Sequence, residues 1–372
     1  MSKTERLNTL VIGGGQAGLV TGYHLGQRGV NFAILDGAPR VGDSWRRRWD
    51  SLRLFTWAYM NELPGMPFPG GVKMHLPSKD ELADYLEQYA AKFSLPVRLG
   101  VQVKHLAREG DRYVVSSASG DRFEADNVVV ATGPFQKPRI PGFAAELDPS
   151  IAQLHSSAYR NPGQLRDGDT LVVGAATSGS DIAMELAGSR KVYLSGPSVE
   201  VFPRSKQKVL RRLIPWVYSR PRTSFIGKKL FAKVRGGGHP LIGYTYKEVT
   251  RTGVVRMPRV SGVREGRPVL EDGKVLDVAN VLWATGYDID FSWIDLPVFE
   301  ADGYPRHLRG VVEDEPGLYF VGLIFLHSLS SQLIMGVGRD TKHVTDELVR
   351  RSSAKQAAPA LSPGFQAGGS RA

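Results

Sequence analysis

The sequence contains no cysteine. This absence excludes a disulfide framework, a thiolate metal site, an iron–sulfur cluster and a Cys-x-x-Cys redox pair. No other metal-binding pattern takes their place, so we predict no metal site. Any redox chemistry must therefore depend on a bound organic cofactor.

Long apolar runs are also missing, and no stretch approaches the roughly 20 residues that a membrane-spanning helix needs. The N-terminal MSKTERLNTLVIGGG enters a strand-like run at once and leaves no room for the apolar core of a signal peptide. We therefore expect a cytoplasmic protein. A chain of 372 residues is long enough for two domains of roughly 100 to 200 residues each.

Acidic residues are absent from one segment. Residues 204–235 hold eleven Lys and Arg and no Asp or Glu, which accounts for the whole net charge of +11. Apolar residues at helical spacing, interrupted at Pro215 and Pro221, predict two short amphipathic helices there. Such helices would cap a substrate pocket, contact a membrane surface or an acidic partner, or form a solvated basic face. No nucleic-acid-reading module accompanies the charge, so we expect no nucleic acid as partner.

Strand-like apolar runs recur along the chain, and each ends at a glycine or a turn: NTLVIGGG, NFAILDG, DNVVVATG, TLVVGA, KVYLSG, NVLWATG and GLYFVG. Helix-length stretches follow several of them, which predicts an α/β fold with parallel sheets. Two runs open glycine-rich turns, so we predict two Rossmann-like dinucleotide-binding units. Similar ATG turns precede and follow the second unit, as if it were inserted into the first. The predicted domains are 1–140 with 287–350, then 141–286, followed by a disordered tail at 351–372.

The first glycine turn matches G-x-G-x-x-G at Gly13, Gly15 and Gly18, after a strand and at the start of a helix. Glycines at these places permit a tight turn, close approach of a pyrophosphate, and close packing of helix on strand. Asp36 ends the next strand, where a carboxylate accepts hydrogen bonds from ribose hydroxyls. The motif alone does not separate FAD from NAD. Because the same chain has a second unit, we favour FAD in the first unit and a diffusible nicotinamide cofactor in the second.

The second turn carries Gly174, Ala176 and Gly179, so alanine replaces the middle glycine. Its methyl group narrows the approach to a pyrophosphate, and an empty Rossmann fold stays an alternative. Gly196 stands where the first unit has Asp36. Without a carboxylate to repel a 2′-phosphate, NADPH is favoured, with NADH possible, and Ser195, Arg204 or Lys206 would supply donors or charge.

These motifs resemble those of the class B flavin monooxygenases, in the branch of flavin-containing monooxygenases and YUCCA-like enzymes. The resemblance covers roughly residues 6–350 and includes the first glycine motif, the GDSWRRRWDSLRLFT block, both ATG turns and SGSDIA. His155 and Tyr159 match only the second half of the family's linker motif. Heteroatom oxygenation, carbon oxygenation and Baeyer–Villiger chemistry therefore stay open.

The resemblance implies that NADPH reduces FAD, that oxygen adds at the flavin C4a, and that the (hydro)peroxyflavin transfers one oxygen atom to a small organic substrate. It implies a flavin contact for Trp45, with a core tryptophan as the alternative. From its place in the connection between the units, we assign His155 to closure and NADP positioning. His327 precedes an SSQ turn that would lie near the flavin, so we assign it to a proton shuttle, with a structural histidine as the alternative. As catalytic candidates we name His327 and His155. The further cofactor-binding candidates are Gln16, Ala17, Val103, Thr132, Gly133, Ser178 and Gln332.

Two other functions stay open. A flavin reductase or NAD(P)H dehydrogenase without oxygen transfer needs the same two units, and a redox sensor would bind FAD without turnover. Disulfide reductases are excluded because they need a thiol pair. The substrate and the oligomeric state are left open by the sequence.

Overall fold

The computed structural model describes residues 4–70, 75–203, 213–237 and 240–357. Within these ranges one mixed and one parallel sheet are covered by helices, and they correspond to the two predicted units. The α-helices are α1 (Gln16–Gly26), α2 (Asp43–Arg46), α3 (Lys79–Lys92), α4 (Thr177–Leu186), α5 (Leu213–Tyr218), α6 (Phe225–Gly237), α7 (Tyr246–Arg251) and α8 (Ile334–Ala357).

The first sheet has seven strands in the order β3-β2-β1-β6-β5-β4, with β18 added on β6. Their bounds are β1 (Thr4–Ile12), β2 (Phe32–Leu35), β3 (Val97–Arg98), β4 (Val103–Glu109), β5 (Arg112–Ser117), β6 (Arg122–Val130) and β18 (Leu318–Phe320). Strands β2, β1, β6 and β18 run parallel, and β2 and β18 are fully buried along their length. Helices cover both faces of such strands, which explains their continuous apolar runs. The β4–β5–β6 meander is antiparallel, so this sheet is mixed where the sequence predicted parallel strands.

The second sheet has five parallel strands in the order β13-β10-β9-β16-β8. They are β8 (Ala152–His155), β9 (Thr170–Val173), β10 (Val192–Ser195), β13 (Val255–Met257) and β16 (Asn280–Trp283). Small two-stranded pairs flank it: β11 (Val201–Pro203) with β12 (Leu241–Gly243), and β14 (Val260–Arg264) with β15 (Arg267–Leu270).

The chain passes from the first sheet to the second and back at one place. Strand β7 (Lys137–Pro138) pairs antiparallel with β17 (Tyr287–Asp288), and all strands of the second sheet lie between them in sequence. The seven predicted strands are all present, and the predicted fold class is confirmed: two Rossmann-like units, one inserted into the other. One cluster of buried apolar side chains includes residues of both units, so the two share a core.

The C-terminal helix extends past the predicted start of the tail. Helix α8 packs along α1 and continues to Ala357, whereas the sequence predicted disorder from residue 351. Leu348 is buried and Arg351 pairs with Glu313, so the end of the helix is held by tertiary contacts that composition does not reveal. The rest of the predicted tail, 358–372, lies outside the described residues.

Candidate functional site

Two glycines of the first turn are required by packing alone. Gly13 has φ +110°, a region that disfavours side chains, and a Cβ there would lie 2.6 Å from the Ala131 carbonyl oxygen. A Cβ at Gly18 would overlap the carbonyl oxygen of Gly13. These contacts bring α1 close to the ends of β1 and β6, so both residues serve the fold of the turn.

Gly15 is different. Its backbone is ordinary, with φ −76° and ψ −173°, and a Cβ there would meet nothing within 4 Å. The fold therefore tolerates a side chain at Gly15, and the space above it is free for a ligand at the N-terminus of α1. Backbone N–H groups at a helix N-terminus favour a phosphate. A pyrophosphate fits this space.

Asp36 lies at the end of β2 and joins it to the turn. Its carboxylate accepts hydrogen bonds from the backbone N–H groups of Gly14 and Ala38. Asp36 also lines a cavity of about 260 Å³ beside the turn. Gly13, Val103 and Thr132 line the same cavity, so four predicted cofactor residues converge here, together with Ile12, Leu35, Gly37, Val101, Gln102 and Trp293.

Trp293 and Gln102 are cavity residues that the sequence analysis missed. Both lie in connecting segments outside the named strands and helices, where spacing carries no periodic signal. Gly133 (φ +71°) follows Thr132 in the turn after β6. Gln136 Nε2 donates to the Gly133 carbonyl oxygen at 2.7 Å and to Thr132 Oγ1 at 2.9 Å, which fixes this turn.

The 3-10 helix Leu329–Gln332 lies beside the start of α1. Gln16 Nε2 lies 3.5 Å from the Gln332 carbonyl oxygen, and Ala17 is buried beside it in the first turn of α1. Gln332 Oε1 is buried and has no hydrogen-bond partner among the described residues. A buried acceptor without a donor is costly, so this atom fits a ligand that donates an N–H group.

His327 lies two residues before the start of this 3-10 helix and is partly buried. Its backbone N–H donates to Ser331 Oγ at 3.0 Å, and its carbonyl oxygen accepts from the Arg222 N–H at 2.7 Å. Burial and then the positive charges of Arg339 and Arg309 hold the pKa of His327 below its ordinary value. The imidazole is therefore neutral at pH 7.

His155 sits at the end of β8, where the two units meet. Its Nε2 lies 3.0 Å from the Gly286 carbonyl oxygen, and its Nδ1 lies 2.9 Å from Ser157 Oγ. Burial lowers its pKa, so the ring is neutral and Nε2 carries the proton donated to Gly286. Tyr287 packs edge-on against the ring at 5.1 Å between centroids, and its hydroxyl accepts from Arg48 Nη1 at 2.7 Å. His155 thereby links the second sheet to the returning chain.

Trp45 lies in the short helix α2 and is partly buried against the core cluster shared by the two units. This packing is compatible with the predicted flavin contact, which stays a prediction.

The second turn repeats the first in its backbone. Gly174 has φ +114°, a Cβ at Gly179 would overlap the Gly174 carbonyl oxygen, and Ala176 has φ −79° and ψ −172°. The Ala176 methyl group therefore occupies the place that is open at Gly15. Ser178 lies in the first turn of α4 and is exposed, so a diffusible ligand can reach it.

Ser195, predicted as a nicotinamide-cofactor ligand, is wrong for that role. It is fully buried, and its hydroxyl donates to the Pro258 carbonyl oxygen at 2.6 Å. The last residue of a central parallel strand points into the core here, which the sequence pattern did not reveal. Arg204 and Lys206, the other predicted ligands, lie outside the described residues.

Arg256 on β13 is a residue that the sequence analysis missed. Its guanidinium donates to the carbonyl oxygens of Leu194 and Gly196 at the end of β10, at 3.0 and 2.8 Å. A lone arginine within a three-residue edge strand is the signal that was available. It indicates a charge held beside the second turn.

The basic segment is helical where the structure describes it. Helices α5 and α6 match the two predicted amphipathic helices, and both contact the 3-10 helix Leu329–Gln332. Phe231 of α6 packs edge-on against Phe325 at 5.3 Å. Large apolar side chains are exposed at Leu213, Trp216 and Phe225. Residues 204–212 of this segment lie outside the described residues.

A search of the described helices for one that is both long and apolar enough to cross a membrane finds none.

Known proteins resemble this chain over most of its length. The family model of pyridine nucleotide-disulphide oxidoreductases matches residues 10–322. An uncharacterized CzcO-like oxidoreductase of Geobacillus kaustophilus is 40% identical over 348 residues, which cover 92% of this chain and 98% of that protein. The probable indole-3-pyruvate monooxygenase YUCCA3 of Arabidopsis thaliana is 25% identical and covers 92% of this chain, with 86% of its own length matched.

Among solved structures, a flavin-containing monooxygenase from Stenotrophomonas maltophilia superposes with a TM-score of 0.77 at 22% identity, covering 94% of this chain and 99% of that one. This likeness concerns the fold. The likeness to YUCCA3 over most of the chain is what confirms the predicted resemblance to class B flavin monooxygenases of the YUCCA-like branch. The chain therefore belongs to the pyridine nucleotide-disulphide oxidoreductase family, as an FAD- and NADPH-dependent oxidoreductase.

Proposed function

We propose that this enzyme uses NADPH and O2 to insert one oxygen atom into a small organic substrate. The observation that carries the proposal is the pair of superimposable glycine turns in a chain without cysteine. One turn is open at Gly15 for a tightly held dinucleotide, and the other is narrowed at Ala176 for an exchanging one. Without thiols, the enzyme must hand its electrons to a diffusible acceptor.

We assign FAD to the unit formed by 1–140 and 287–350, and NADPH to 141–286. The turn that Gly13 and Gly18 shape, open at Gly15, would hold the FAD pyrophosphate, and Asp36 would hold the ribose. The orphan acceptor Gln332 Oε1 supports placing the flavin ring beside Leu329–Gln332. Bound FAD supplies hydride acceptance and oxygen activation, and the protein supplies orientation, dryness and control of protons.

His327 is the protein group suited to proton control. Its neutral ring, held beside Arg339 and Arg309, can accept a proton at a ring nitrogen and return it. His155 is suited to a different role because both of its ring nitrogens are engaged by the protein. We assign His155 to positioning: it holds the Gly286 turn, and so the two units, in register.

Of the three roles predicted for the basic segment, the contacts of α5 and α6 support a cap over the substrate pocket. The Arg222 N–H bonds the His327 carbonyl oxygen, and Phe231 closes on Phe325. This cap would exclude water from the substrate side of the flavin, where competing hydrolysis and peroxide release must be limited.

The test is a reaction of the FAD-loaded protein with NADPH, or NADH, under ¹⁸O2. The substrate panel contains amines, thioethers, aldehydes and 2-oxo acids, the last because YUCCA3 and its relatives are named for indole-3-pyruvate. One ¹⁸O atom in a product, at a yield near one per NADPH, is expected. Hydrogen peroxide as the only product from every substrate would favour a reductase or dehydrogenase without oxygen transfer. Failure of both nicotinamides to reduce the flavin would favour a non-catalytic FAD-binding sensor.

A further inference from the structure

The end of β10 in the second unit lacks the carboxylate that the first unit has at Asp36. Gly196 occupies this place with φ +143°, and a Cβ there would lie 3.1 Å from the Ala175 backbone nitrogen. An aspartate at 196 would therefore be strained as well as crowded. In a Rossmann unit this is the place beside the adenosine ribose. The backbone itself keeps negative charge away from the ribose 2′ position.

A positive charge approaches the same place from the neighbouring strand. Strand β13 pairs with β10 so that Arg256 lies opposite Leu194. The two guanidinium bonds to the Leu194 and Gly196 carbonyl oxygens hold Arg256 across the end of β10. Its position is thus fixed before any ligand binds.

Tyr246 of α7 holds the other side of this guanidinium. The Arg256 Cζ atom lies 4.6 Å from the centre of the Tyr246 ring. The Tyr246 hydroxyl donates to the Ala175 carbonyl oxygen at 3.0 Å and accepts from the Val199 N–H at 2.9 Å. The stacked pair is therefore tied to the glycine turn and to the loop after β10.

Arg256 carries its charge without an acidic partner in the described part of the chain. Its two protein hydrogen bonds go to carbonyl oxygens, and no carboxylate contributes to its electrostatic environment. Nearby, Arg259 pairs with Glu271 and Arg267 with Asp277. Burial lowers the pKa of Arg256, because a half-buried cation without an anion is destabilised. A bound anion would relieve that cost.

We propose that Arg256, stacked on Tyr246, binds the 2′-phosphate of the nicotinamide cofactor at the end of β10. Guanidinium is suited to this role because its planar fork of N–H groups matches a phosphate, and two of its five donors are used by the protein. The proposal rests on the assignment of NADPH to the second unit, and it accounts for 2′-phosphate selection without an arginine directly after β10.

The test measures binding by calorimetry, with the full-length, FAD-loaded protein and two probes that differ by one phosphate, 2′,5′-ADP and 5′-AMP. Wild-type protein is expected to bind 2′,5′-ADP at least about 10-fold more tightly than 5′-AMP. Arg256→Gln should weaken 2′,5′-ADP by about 10- to 100-fold and leave 5′-AMP nearly unchanged. Arg256→Lys keeps the positive charge but loses the planar set of donors, so its affinity for 2′,5′-ADP should lie between those of wild type and Arg256→Gln.

Arg251→Gln is the matched control, because Arg251 is exposed at the end of α7 in the same unit. It should keep the wild-type affinity for both probes. An equal loss of affinity for both probes in Arg256→Gln would leave the ratio of the two affinities unchanged. That result would show that Arg256 only supports the fold, and it would overturn the proposal. If wild-type protein binds neither probe, the assignment of the second unit to a nucleotide fails together with this inference. If it binds both probes equally well, only the 2′-phosphate subsite fails.

Discussion

The two glycine turns have matching backbones, and two side-chain differences between the units bear on what each turn can bind. Gly15 and Ala176 have φ and ψ values within a few degrees of each other, yet only Gly15 leaves the space above the helix N-terminus open. In the first unit, Asp36 follows β2 and carries a carboxylate. In the second unit, Gly196 follows β10 in a backbone conformation that disfavours a side chain, and so a carboxylate. We propose that the same fold thus offers a site for a retained dinucleotide and a site for an exchanging one, distinguished by a methyl group and a charge.

The largest effect that tests this comparison should come from Gly15→Val. The side chain fills the pyrophosphate space, and we expect FAD binding to weaken by at least about 100-fold, so that the purified protein is colourless. The ordinary backbone at Gly15 should keep the protein folded. Flavin absorbance per chain and a melting curve measure both quantities.

Gly142→Val is the control for that substitution, because a Cβ at Gly142 also meets nothing within 4 Å but lies in the connection after β7. It should retain FAD. Stoichiometric FAD in Gly15→Val would remove the basis for placing the flavin at the first turn.

The first unit contains a buried histidine that should make its stability depend on pH. Burial lowers the pKa of His24 on α1 to about 4, from an ordinary value near 6.5. The unfolded chain therefore binds a proton that the folded chain excludes as the pH falls from 6.5 to 4, and stability is lost across that window. At pH 5 the loss is about 2 kcal/mol relative to pH 7.5.

His24→Gln removes this titration and can still donate to the Gly338 carbonyl oxygen that His24 contacts. We expect a flatter pH dependence of flavin release, followed by flavin fluorescence on heating at pH 7.5 and pH 5. A pH dependence equal to that of wild type would show that other groups in the first unit control its acid stability.

A smaller effect should come from His155→Ala, which removes a contact between the two units. Loss of the Gly286 bond loosens the register of the two sites, and we expect peroxide released per NADPH consumed to rise by about 3- to 10-fold, with FAD content unchanged. Exposed His105 in the first sheet provides the control variant, His105→Ala. A lower melting temperature with an unchanged peroxide ratio would mean that His155 acts on stability only.

The smallest effect should come from making the second turn resemble the first. Ala176→Gly removes the methyl group that narrows the pyrophosphate approach, and we expect NADP⁺ to bind about 5-fold more tightly. The reciprocal Gly15→Ala should weaken FAD measurably but less than Gly15→Val. Calorimetry with NADP⁺ on the FAD-loaded variant tests the first half, and unchanged affinity would mean that the methyl group lies clear of the ligand.

Much of the fold and half of the site follow from local patterns. The glycine motifs predicted both turns because Gly13, Gly18, Gly174 and Gly179 satisfy constraints between residues close in sequence or at strand ends. Asp36, Val103 and Thr132, three of the predicted cofactor residues, line one cavity. Trp293 and Arg256 were missed because each reaches its site from a segment far away in the chain. Ser195 was misplaced because strand alternation does not tell which face of a buried parallel strand a ligand occupies.

The sequence by itself determined the fold class, the insertion of one unit into the other, and the exclusion of thiol chemistry, since these depend on periodicity, on the order of motifs and on an absent residue type. Only the tertiary structure decided which groups meet across those motifs. Both ring nitrogens of His155 form hydrogen bonds to the protein. Gln332 Oε1 has no hydrogen-bond partner among the described residues. Arg256 stacks on Tyr246 beside Gly196. Such contacts arise from the packing of strands and helices distant in sequence, and no local spacing encodes them.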